Sequence, residues 1–363
     1  MSRPPVSVVM PVHNGMPFVG ESVASILGQS FGAFELVIGD DGSDDGTAEL
    51  LERWARRDSR VRLARRERKS GIAASFNWVM SLARAPLVAI AHADDLAHPE
   101  RLRRQVAALR ARPDAAAVGA LSRGIDARGR LVQPPNYWRL TRVSPFAPFV
   151  HSSVMLRRDR FERAGGYDAQ ADYWEDLDLY WRLLETGPIL VLPEILSSYR
   201  HSHASVRSRE SVERVENALE LMYRSTACYA ARRDHRPLLR RGAAAVVGAG
   251  AKIHPRIFVA RSWTEVWSGR RPGTLLRLLK RGDLGWNRAS LVSLAFVTAA
   301  TLSPRALRLI VQAWMHGRNL AGRRLLRGRA AVEWRTRPAT KEDLPIPEPA
   351  HANSARSGSI RTG

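Results

Sequence analysis

The sequence contains little cysteine, little lysine and no long apolar run. Its 363 residues include a single cysteine, Cys228, which cannot form an internal disulfide, so nothing indicates an oxidising compartment. The most apolar segment, residues 289–302, is shorter than the roughly 18–20 residues that a membrane-spanning helix needs. The apolar stretch at residues 6–10 is too short for a signal peptide. We therefore expect a cytoplasmic protein.

Two phosphate-binding signatures are also absent after the first predicted strand. Residues 6–10 (VSVVM) indicate a buried strand, and residues 11–15 (PVHNG) end it. This loop is not the G-x-G-x-x-G of dinucleotide-dependent oxidoreductases, which argues against that class. It also differs from the Gly-rich, basic loop expected of a nucleotidylyltransferase. That class stays open as an alternative, because it would share a similar sheet and an acidic metal site.

Positive charge, in contrast, is abundant and unevenly distributed. The net charge is +22, yet residues 1–200 hold 27 Lys and Arg against 24 Asp and Glu, whereas residues 201–363 hold 30 against 11. Such a polycation is attracted to anionic lipid head groups, nucleic acid or acidic polymers. A genome that favours Arg over Lys would give part of the same excess. A nucleic-acid-binding protein is the weaker alternative, because the acidic clusters of the first part would repel phosphates.

Apolar strands alternate with helical segments in the first part of the chain. We predict strands at residues 6–10, 34–38, 61–63 and 86–91, with helices between them. This alternation predicts an α/β fold with a mostly parallel sheet flanked by helices, which binds ligands beyond the carboxyl ends of its strands. Three predicted strands end there in polar clusters: His13-Asn14, Asp40-Asp41 and Asp94-Asp95.

The second part of the chain divides into three regions. We predict a strand at residues 151–156, a helix that opens with Trp174-Glu175-Asp176, and a strand at residues 189–192. Residues 208–330 are Arg-rich and predicted to be mainly helical. Residues 331–363 are rich in Pro, Ser and charge, which predicts a disordered tail. The predicted folded domain therefore covers residues 5–207.

The carboxylates in these clusters have functional and structural interpretations. Asp94-Asp95 follows a buried strand, where paired carboxylates are costly unless a divalent cation neutralises them; the alternative is a helix N-cap before residues 99–102. Residues 41–52 match the spacing of a calcium-binding EF-hand loop, but a strand rather than a helix precedes them. Asp176 lies at a helix N-terminus, which favours its ionised form and hence a base, or else a simple cap.

Taken together, these segments resemble a family 2 glycosyltransferase with the GT-A fold. The matching stretches are VSVVMPVHNG (6–15), SILGQSFGAFELVIGDDGSDDGT (25–47), APLVAIAHADD (85–95), HSSVMLRRDRFERAGGYD (151–168), WEDLDLYWRL (174–183) and LSSYRHSHASV (196–206). Each motif is weak alone, whereas six in the expected order are strong. The resemblance implies a Rossmann-like GT-A sheet and inverting transfer of a sugar from a nucleotide-diphosphate donor to an acceptor hydroxyl, in cell-envelope, polysaccharide or glycolipid synthesis.

The resemblance also implies a role for individual residues. Pro11, His13, Asn14 and Asp41 would hold the base and ribose, Asp94 would lie near the ribose, and Asp95 would coordinate Mg2+ or Mn2+. Asp176 would be the general base that deprotonates the acceptor. The residues that would shape the acceptor and sugar pocket are His151, Trp174 and Glu175.

The sequence departs from the family's pattern at two places. The metal motif is often Asp-any-Asp, whereas here the acids are adjacent at Asp94 and Asp95, with His92 two residues before Asp94. The family often shows Tyr-Arg-any-His, whereas here Ser202 occupies the His position between His201 and His203. Either histidine could reach the diphosphate.

The C-terminal region suggests a membrane partner. Between residues 304 and 330 an apolar stripe accompanies many arginines, which is typical of a helix in the head-group layer of an anionic membrane or of a basic helix packed on the folded domain. A glycan or lipid-linked acceptor would suit the first arrangement. We therefore expect a nucleotide-sugar donor, such an acceptor, no nucleic acid, and a location in the cytoplasm or on the inner face of the plasma membrane.

Overall fold

The computed structural model describes residues 3–133, 135, 147–171, 174–201, 225 and 330–333. Its strands are β1 (Val6–Val12), β2 (Phe34–Asp41), β3 (Val61–Arg66), β4 (Leu87–Ile90), β5 (Leu96–Ala97), β6 (Ala117–Ile125), β7 (Leu131–Gln133), β8 (Met155–Arg157), β9 (Ile189–Arg200) and β10 (Val332–Glu333). Its helices are α1 (Val19–Leu27), α2 (Thr47–Arg57), α3 (Ile72–Leu82), α4 (Arg101–Ala111), α5 (Arg158–Arg163) and α6 (Glu175–Leu184), and residues 151–153 form a 3₁₀ turn.

The strands of the described residues form one sheet with a parallel centre. The strand order is β10-β9-β6-β8-β4-β1-β2-β3, with β5 on β9 and β7 on β6. β1 pairs in parallel with β2 and β4, and β2 pairs in parallel with β3. The carboxyl ends of β1, β2 and β4 therefore meet at one edge, and the predicted mostly parallel α/β sheet is confirmed.

Each face of the sheet buries a separate hydrophobic core. Along β1, Val8 and Met10 belong to the core under α1, α2 and α4, whereas Val9 belongs to the core under α3 and α6. This alternation is the period of two that a strand imposes on its side chains. A strand covered on both faces needs a continuous apolar run, which VSVVM provides. The two layers of helices hold the polar edge of the sheet in place.

The structure corrects several of the predicted elements. The predicted strand at residues 151–156 is a 3₁₀ turn followed by β8, and the strand predicted at 189–192 extends to Arg200. β6, which the sequence analysis missed, lies between β9 and β8. β10 pairs antiparallel with β9, so the disordered tail predicted from residue 331 starts too early. The rest of that tail and nearly all of the predicted helical region 208–330 lie outside the described residues.

Among the described residues, no helix has both the length and the apolar character needed to cross a bilayer. The apolar run at 289–302 lies outside them, and so does the predicted amphipathic segment 304–330.

Gly39 allows the close approach of β2 to α3. A Cβ at this position would lie 2.3 Å from Cγ2 of Val79 and 2.8 Å from the Trp78 ring. We expect Gly39→Ala to lower the free energy of unfolding by about 1–3 kcal/mol, because buried overpacking forces neighbours off their rotamers. Gly32→Ala is the matched control, since a Cβ there meets nothing within 4 Å. Equal denaturant stability of the two variants would contradict this account.

Candidate active site at the carboxyl edge of the sheet

Hydrogen bonds join the loops that follow β1 and β2. The backbone N–H of Asn14 donates to Oγ of Ser43 at 2.9 Å, and the Asn14 side chain forms a reciprocal pair with Asp44. Asn14 has a left-handed φ of 53°, a conformation that Asn tolerates better than most residues. The N–H of Gly15 donates to Oγ1 of Thr47 at 2.9 Å. These hydrogen bonds join the two predicted nucleotide-binding loops, residues 13–15 and 43–47, into one surface, which we call the nucleoside ledge.

Asp41 connects this ledge to the loop that follows β3. Its carboxylate is 2% exposed and accepts hydrogen bonds from the backbone N–H and the hydroxyl of Ser70, both at 2.9 Å. Nδ1 of His13 lies 3.0 Å from the carbonyl oxygen of Asp41. His13 and Asp41, both predicted to hold the nucleoside, therefore lie together, with partly buried Pro11 at the end of β1.

The alternative of an EF-hand loop over residues 41–52 does not fit the structure. β2 precedes the loop where an EF-hand requires a helix. The Asp45 carboxylate is also occupied: it accepts hydrogen bonds from the backbone N–H groups of Met16 and Thr47. These contacts give Asp45 a structural role at the start of α2.

Asp94 and Asp95 follow β4, and their environments differ. Asp95 is 5% exposed; its Oδ1 accepts the backbone N–H of Arg200 at 2.8 Å, and its Oδ2 accepts the hydroxyl of Ser152. Asp94 is less buried, and its backbone carbonyl accepts Nε of Arg200 at 2.8 Å. Neither residue caps α4, which begins at Arg101 after Glu100. The carboxylate oxygens of Asp95 thus carry the protein's own hydrogen bonds, whereas Asp94 bonds Arg200 through its backbone carbonyl and is partly exposed.

Arg200 holds the loop of Asp94 and Asp95 in place. It is 1% exposed, and its guanidinium lies 4.5 Å from the ring centroid of Phe18. Nη2 donates to Glu21 of α1 at 2.7 Å, while Nη1 lies 3.2 Å from the carbonyl of Ala127. A buried guanidinium is stable only when its donors are satisfied. Arg200 therefore links α1, the loop after β4 and the β6–β7 turn at the edge of the site.

His92, Asp94 and Asp95 form a cluster of potential metal ligands. One ligand atom from each lies within 4.8 Å of the other two. Burial and the neighbouring Asp95 raise the pKa of Asp94 to about 6. Burial opposes a charge on His92, but the carboxylates of Asp95, Asp94 and Asp176 outweigh it and raise the pKa of the imidazole. Carboxylate and imidazole groups gathered at this separation are ligands that a divalent metal ion can bind.

Asp176 lies in the first turn of α6 on the same side of the site. Its charge reaches His92, since it contributes to the raised pKa of that imidazole. The backbone N–H of Leu177 donates to Oδ1 of Asp176 at 2.7 Å. The positive end of the helix dipole favours the carboxylate form. Asp176 therefore lies within electrostatic reach of His92 in the predicted metal cluster, although the two residues lie about 80 positions apart in sequence.

Two sets of contacts fix the position of α6. Arg182 forms a salt bridge with buried Asp178 on the same helix and donates to the carbonyl of Gly166 at 2.6 Å. Asn77 of α3 forms a two-way hydrogen bond with the backbone of Tyr167, at 2.8 and 2.9 Å. The 164–167 loop is thereby tied to both α3 and the last turn of α6, which fixes α6 relative to α3.

The three residues predicted to shape the acceptor and sugar pocket are all buried. His151 is 6% exposed, with Nε2 2.9 Å from the hydroxyl of Tyr167 and Nδ1 on the hydroxyl of Tyr180. Burial holds the pKa of His151 well below its usual range, so the ring is neutral. Trp174 is 1% and Glu175 8% exposed. Trp174 packs against Trp181 with a ring-centroid distance of 5.8 Å, and the predicted role of Trp174 and Glu175 in acceptor binding stays a prediction.

Of the two histidines predicted near the diphosphate, the structure describes His201 but not His203. His201 donates its backbone N–H to Ile125 at 2.8 Å, and its Nε2 lies 3.1 Å from the side-chain oxygen of Gln133. Burial lowers the pKa of His201. His203 lies outside the described residues. Whether either one contacts the diphosphate stays open.

Sequence reasoning missed several residues that organise the site. They are Glu21, Ser70, Ser152 and Arg200, each of which fixes a predicted site residue or the loop that carries it. Only Arg200 carried a usable signal, because it belongs to the Tyr-Arg pair near the end of the resemblance. A lone serine next to a glycine has no comparable sequence signature.

A mostly parallel α/β sheet with a His-Asp-Asp cluster at its carboxyl edge is the arrangement expected of a nucleotide-dependent transferase. The sequence profile of "Glycosyl transferase family 2" matches residues 7–169. EpsE from Bacillus subtilis (strain 168) is 32% identical over 233 residues, which cover 62% of this chain and 82% of EpsE. The O-antigen biosynthesis glycosyltransferase WbnJ from Escherichia coli is 29% identical over 212 residues, 56% of this chain and 82% of WbnJ.

Solved structures share the fold. The mannosyltransferase PcManGT from Pyrobaculum calidifontis, in complex with GDP-Man and Mn2+, has a TM-score of 0.52 at 19% identity and covers 89% of this chain and 88% of its own. S. aureus TarS 1-349, in complex with UDP-GlcNAc, has a TM-score of 0.52 at 16% identity and covers 82% and 91%. The chain belongs to glycosyl transferase family 2 and is a glycosyltransferase. This membership favours glycosyl transfer over the nucleotidylyltransferase and nucleic-acid-binding alternatives.

Proposed function

We propose that this glycosyltransferase inverts the anomeric centre of its donor sugar with Asp176 as the base and a divalent ion at Asp94. The observation that carries the proposal is the cluster of His92, Asp94 and Asp95 at one edge of the sheet, with Asp176 within electrostatic reach of His92. A diphosphate and an acceptor hydroxyl must meet in such a place for direct displacement to occur.

The ion proposal follows from the contacts of the two acids. Asp95 was predicted as the metal ligand, and that stays a prediction; each of its oxygens already accepts one hydrogen bond, from Ser152 or from Arg200, which competes with a direct metal bond. We assign direct coordination to Asp94 and an orienting role to Asp95. A bound Mn2+ or Mg2+ would neutralise the charge that grows on the departing diphosphate. PcManGT holds Mn2+ with GDP-Man, which supports a divalent ion here without identifying it.

The nucleoside is proposed to occupy the ledge made by the loops after β1 and β2. Pro11, His13, Asn14 and Asp41 line this ledge, as the family resemblance implies. Ser70 holds the buried Asp41 carboxylate through its backbone N–H and its hydroxyl, so Asp41 would fix the shape of the ledge, with its carbonyl oxygen 3.0 Å from Nδ1 of His13. Nucleoside recognition would thereby lie on three packed loops rather than on one mobile segment.

The chemistry needs one base. The acceptor hydroxyl oxygen attacks the anomeric carbon from the side opposite the diphosphate, and Asp176 takes the hydroxyl proton. The bond from the anomeric carbon to the phosphate oxygen breaks as the new glycosidic bond forms, and the nucleoside diphosphate leaves with the electron pair. Trp174 precedes α6 and Glu175 is its first residue. Both are buried, and they would keep Asp176 in position.

The acceptor and the location of the protein are further parts of the proposal. The names of WbnJ and related glycosyltransferases point to O-antigen and polysaccharide synthesis, which supports a glycan or lipid-linked acceptor. The excess of Arg after residue 200 would attract the inner leaflet of the plasma membrane. We propose a peripheral cytoplasmic enzyme whose donor is soluble and whose acceptor lies at the membrane.

A donor screen tests the proposal. Hydrolysis and binding of UDP-, GDP- and dTDP-sugars should be measured with the full chain, with Mn2+ and with excess EDTA. We expect one nucleotide class to bind with the ion and to be hydrolysed slowly in the absence of acceptor. If no nucleotide sugar binds under either condition, the proposed donor class is wrong.

A further inference from the structure

His92 is the single nitrogen donor in the metal cluster. It precedes Asp94 by two residues, at the spacing where the family's motif often has its first acid. Its side chain is 29% exposed, so the ring is held by the protein but still reachable from the cleft. The ring packs against Phe76 with a centroid distance of 5.9 Å and against His151 at 5.6 Å. A side chain fixed in this way can serve as a preorganised ligand.

Asp95 fixes which nitrogen of His92 is available. Nδ1 of His92 lies 3.5 Å from Oδ2 of Asp95, and Asp95 is itself held by Ser152 and by the backbone of Arg200. Metal-binding histidines commonly direct their second nitrogen at a carboxylate, which fixes the tautomer and raises the basicity of the coordinating nitrogen. While Nδ1 faces Asp95, Nε2 is the ring nitrogen that would bind an ion.

We propose that Nε2 of His92 joins the Asp94 carboxylate as a direct ligand and that this imidazole makes the site select Mn2+ or Co2+ over Mg2+. Imidazole suits first-row transition ions, whereas Mg2+ prefers oxygen ligands and retains its waters. Asp95 is then a positioning residue that acts through His92. The inference rests on the proposed ion at Asp94 and adds the identity of the second ligand and the class of ion.

The decisive measurement is pulsed electron paramagnetic resonance on the full-length protein with Mn2+ and UDP. We expect nitrogen coupling to the bound Mn2+, with the coupling pattern changed by 15N-labelling of histidine. His92→Asp should retain bound Mn2+ but lose the nitrogen coupling. His98→Gln is the matched control, because His98 is exposed and lies outside the cluster.

Competition between ions gives the second readout. The ratio of Mg2+ to Mn2+ dissociation constants should fall by about tenfold or more in His92→Asp, because an oxygen ligand replaces the nitrogen. His92→Gln, which removes the imidazole without adding a carboxylate, should weaken Mn2+ binding. The wild-type spectrum is informative even if a variant fails to fold.

The outcomes separate this inference from the proposed function. Mn2+ that binds in an Asp94-dependent way without nitrogen coupling would overturn the role of His92 and leave the ion at Asp94 intact. Mn2+ binding that is unaffected by Asp94→Asn would overturn the proposed ion site and, with it, this inference. Unchanged selectivity between Mg2+ and Mn2+ in His92→Asp would also overturn the proposed role of His92.

Discussion

Replacing Asp176 with Asn is expected to lower kcat by about 10²–10⁴-fold, the usual contribution of a general base. The amide cannot take the proton of the acceptor hydroxyl, although it has nearly the same size and shape as the carboxylate. Donor affinity should remain essentially unchanged, because the proposed nucleoside ledge lies on the loops after β1 and β2. The expected pattern is therefore a loss in kcat with little change in the donor dissociation constant.

Steady-state kinetics and donor calorimetry on the same preparation measure both quantities. Asp159→Asn is the matched control, because Asp159 also lies in the first turn of a helix but is 62% exposed and pairs with Arg163 on the surface. The control should retain wild-type activity. A loss of donor binding in Asp176→Asn, or a kcat close to that of the wild type, would show that Asp176 is not the base.

Asp94→Asn and Asp95→Asn should have opposite effects on ion binding and stability. Asp94→Asn removes the proposed direct ligand, so Mn2+-dependent donor affinity should fall by more than the roughly 10–100-fold typical of outer-shell changes. The same substitution removes a buried charge that Asp95 repels, and the stability of the ion-free protein should be unchanged or higher. Asp95→Asn should weaken Mn2+ binding less than Asp94→Asn does.

Asp95→Asn should instead destabilise the fold. The carboxylate accepts the buried N–H of Arg200 and the hydroxyl of Ser152, and a side-chain amide cannot accept both in the same positions. An unsatisfied buried partner costs about 1–3 kcal/mol. Denaturant unfolding without metal, together with Mn2+ titration, separates the two effects. A larger loss of Mn2+ binding in Asp95→Asn than in Asp94→Asn would restore Asp95 as the direct ligand.

The sequence predicts the central part of the fold well, because β1, β2 and β4 are short apolar runs bounded by turns. β6 escapes prediction since AVGALSRGI is rich in Ala and Gly, which are uncommon in strands. Glycine is needed at position 119 of β6, because a Cβ there would lie 2.6 Å from the Phe149 ring. The extent of β9 is hidden by Pro193, which falls where its register against β6 shifts.

The site shows the same division between local pattern and long-range contact. Polar clusters after consecutive parallel strands must meet at one edge, so the grouping of His13, Asp41 and Asp94 follows from the sequence. The different tasks of Asp94 and Asp95 do not, because they depend on Ser152 and Arg200, far away in the chain. The burial of His151 between two tyrosines is likewise a property of the packed fold.

The contacts also explain why the site can be rigid. Asp41, Asp95 and Arg200 are nearly inaccessible and fully engaged, and together they join loops that are distant in sequence. Asp94 is less buried than these residues, and the proposed cation would favour its ionised form, whereas the N-terminus of α6 favours the ionised form of Asp176. Positioning and chemistry thus belong to different side chains, and this division underlies the contrast between the variants at Asp94 and Asp95.

The most direct test of this account is an anomalous-difference map at the manganese edge from crystals grown with Mn2+ and UDP. We predict one strong peak bound to the Asp94 carboxylate, beside the diphosphate, on the side of the cleft that faces Asp176. A bound nucleotide with no manganese peak near Asp94, or a peak at another group of acids, would contradict the proposed site.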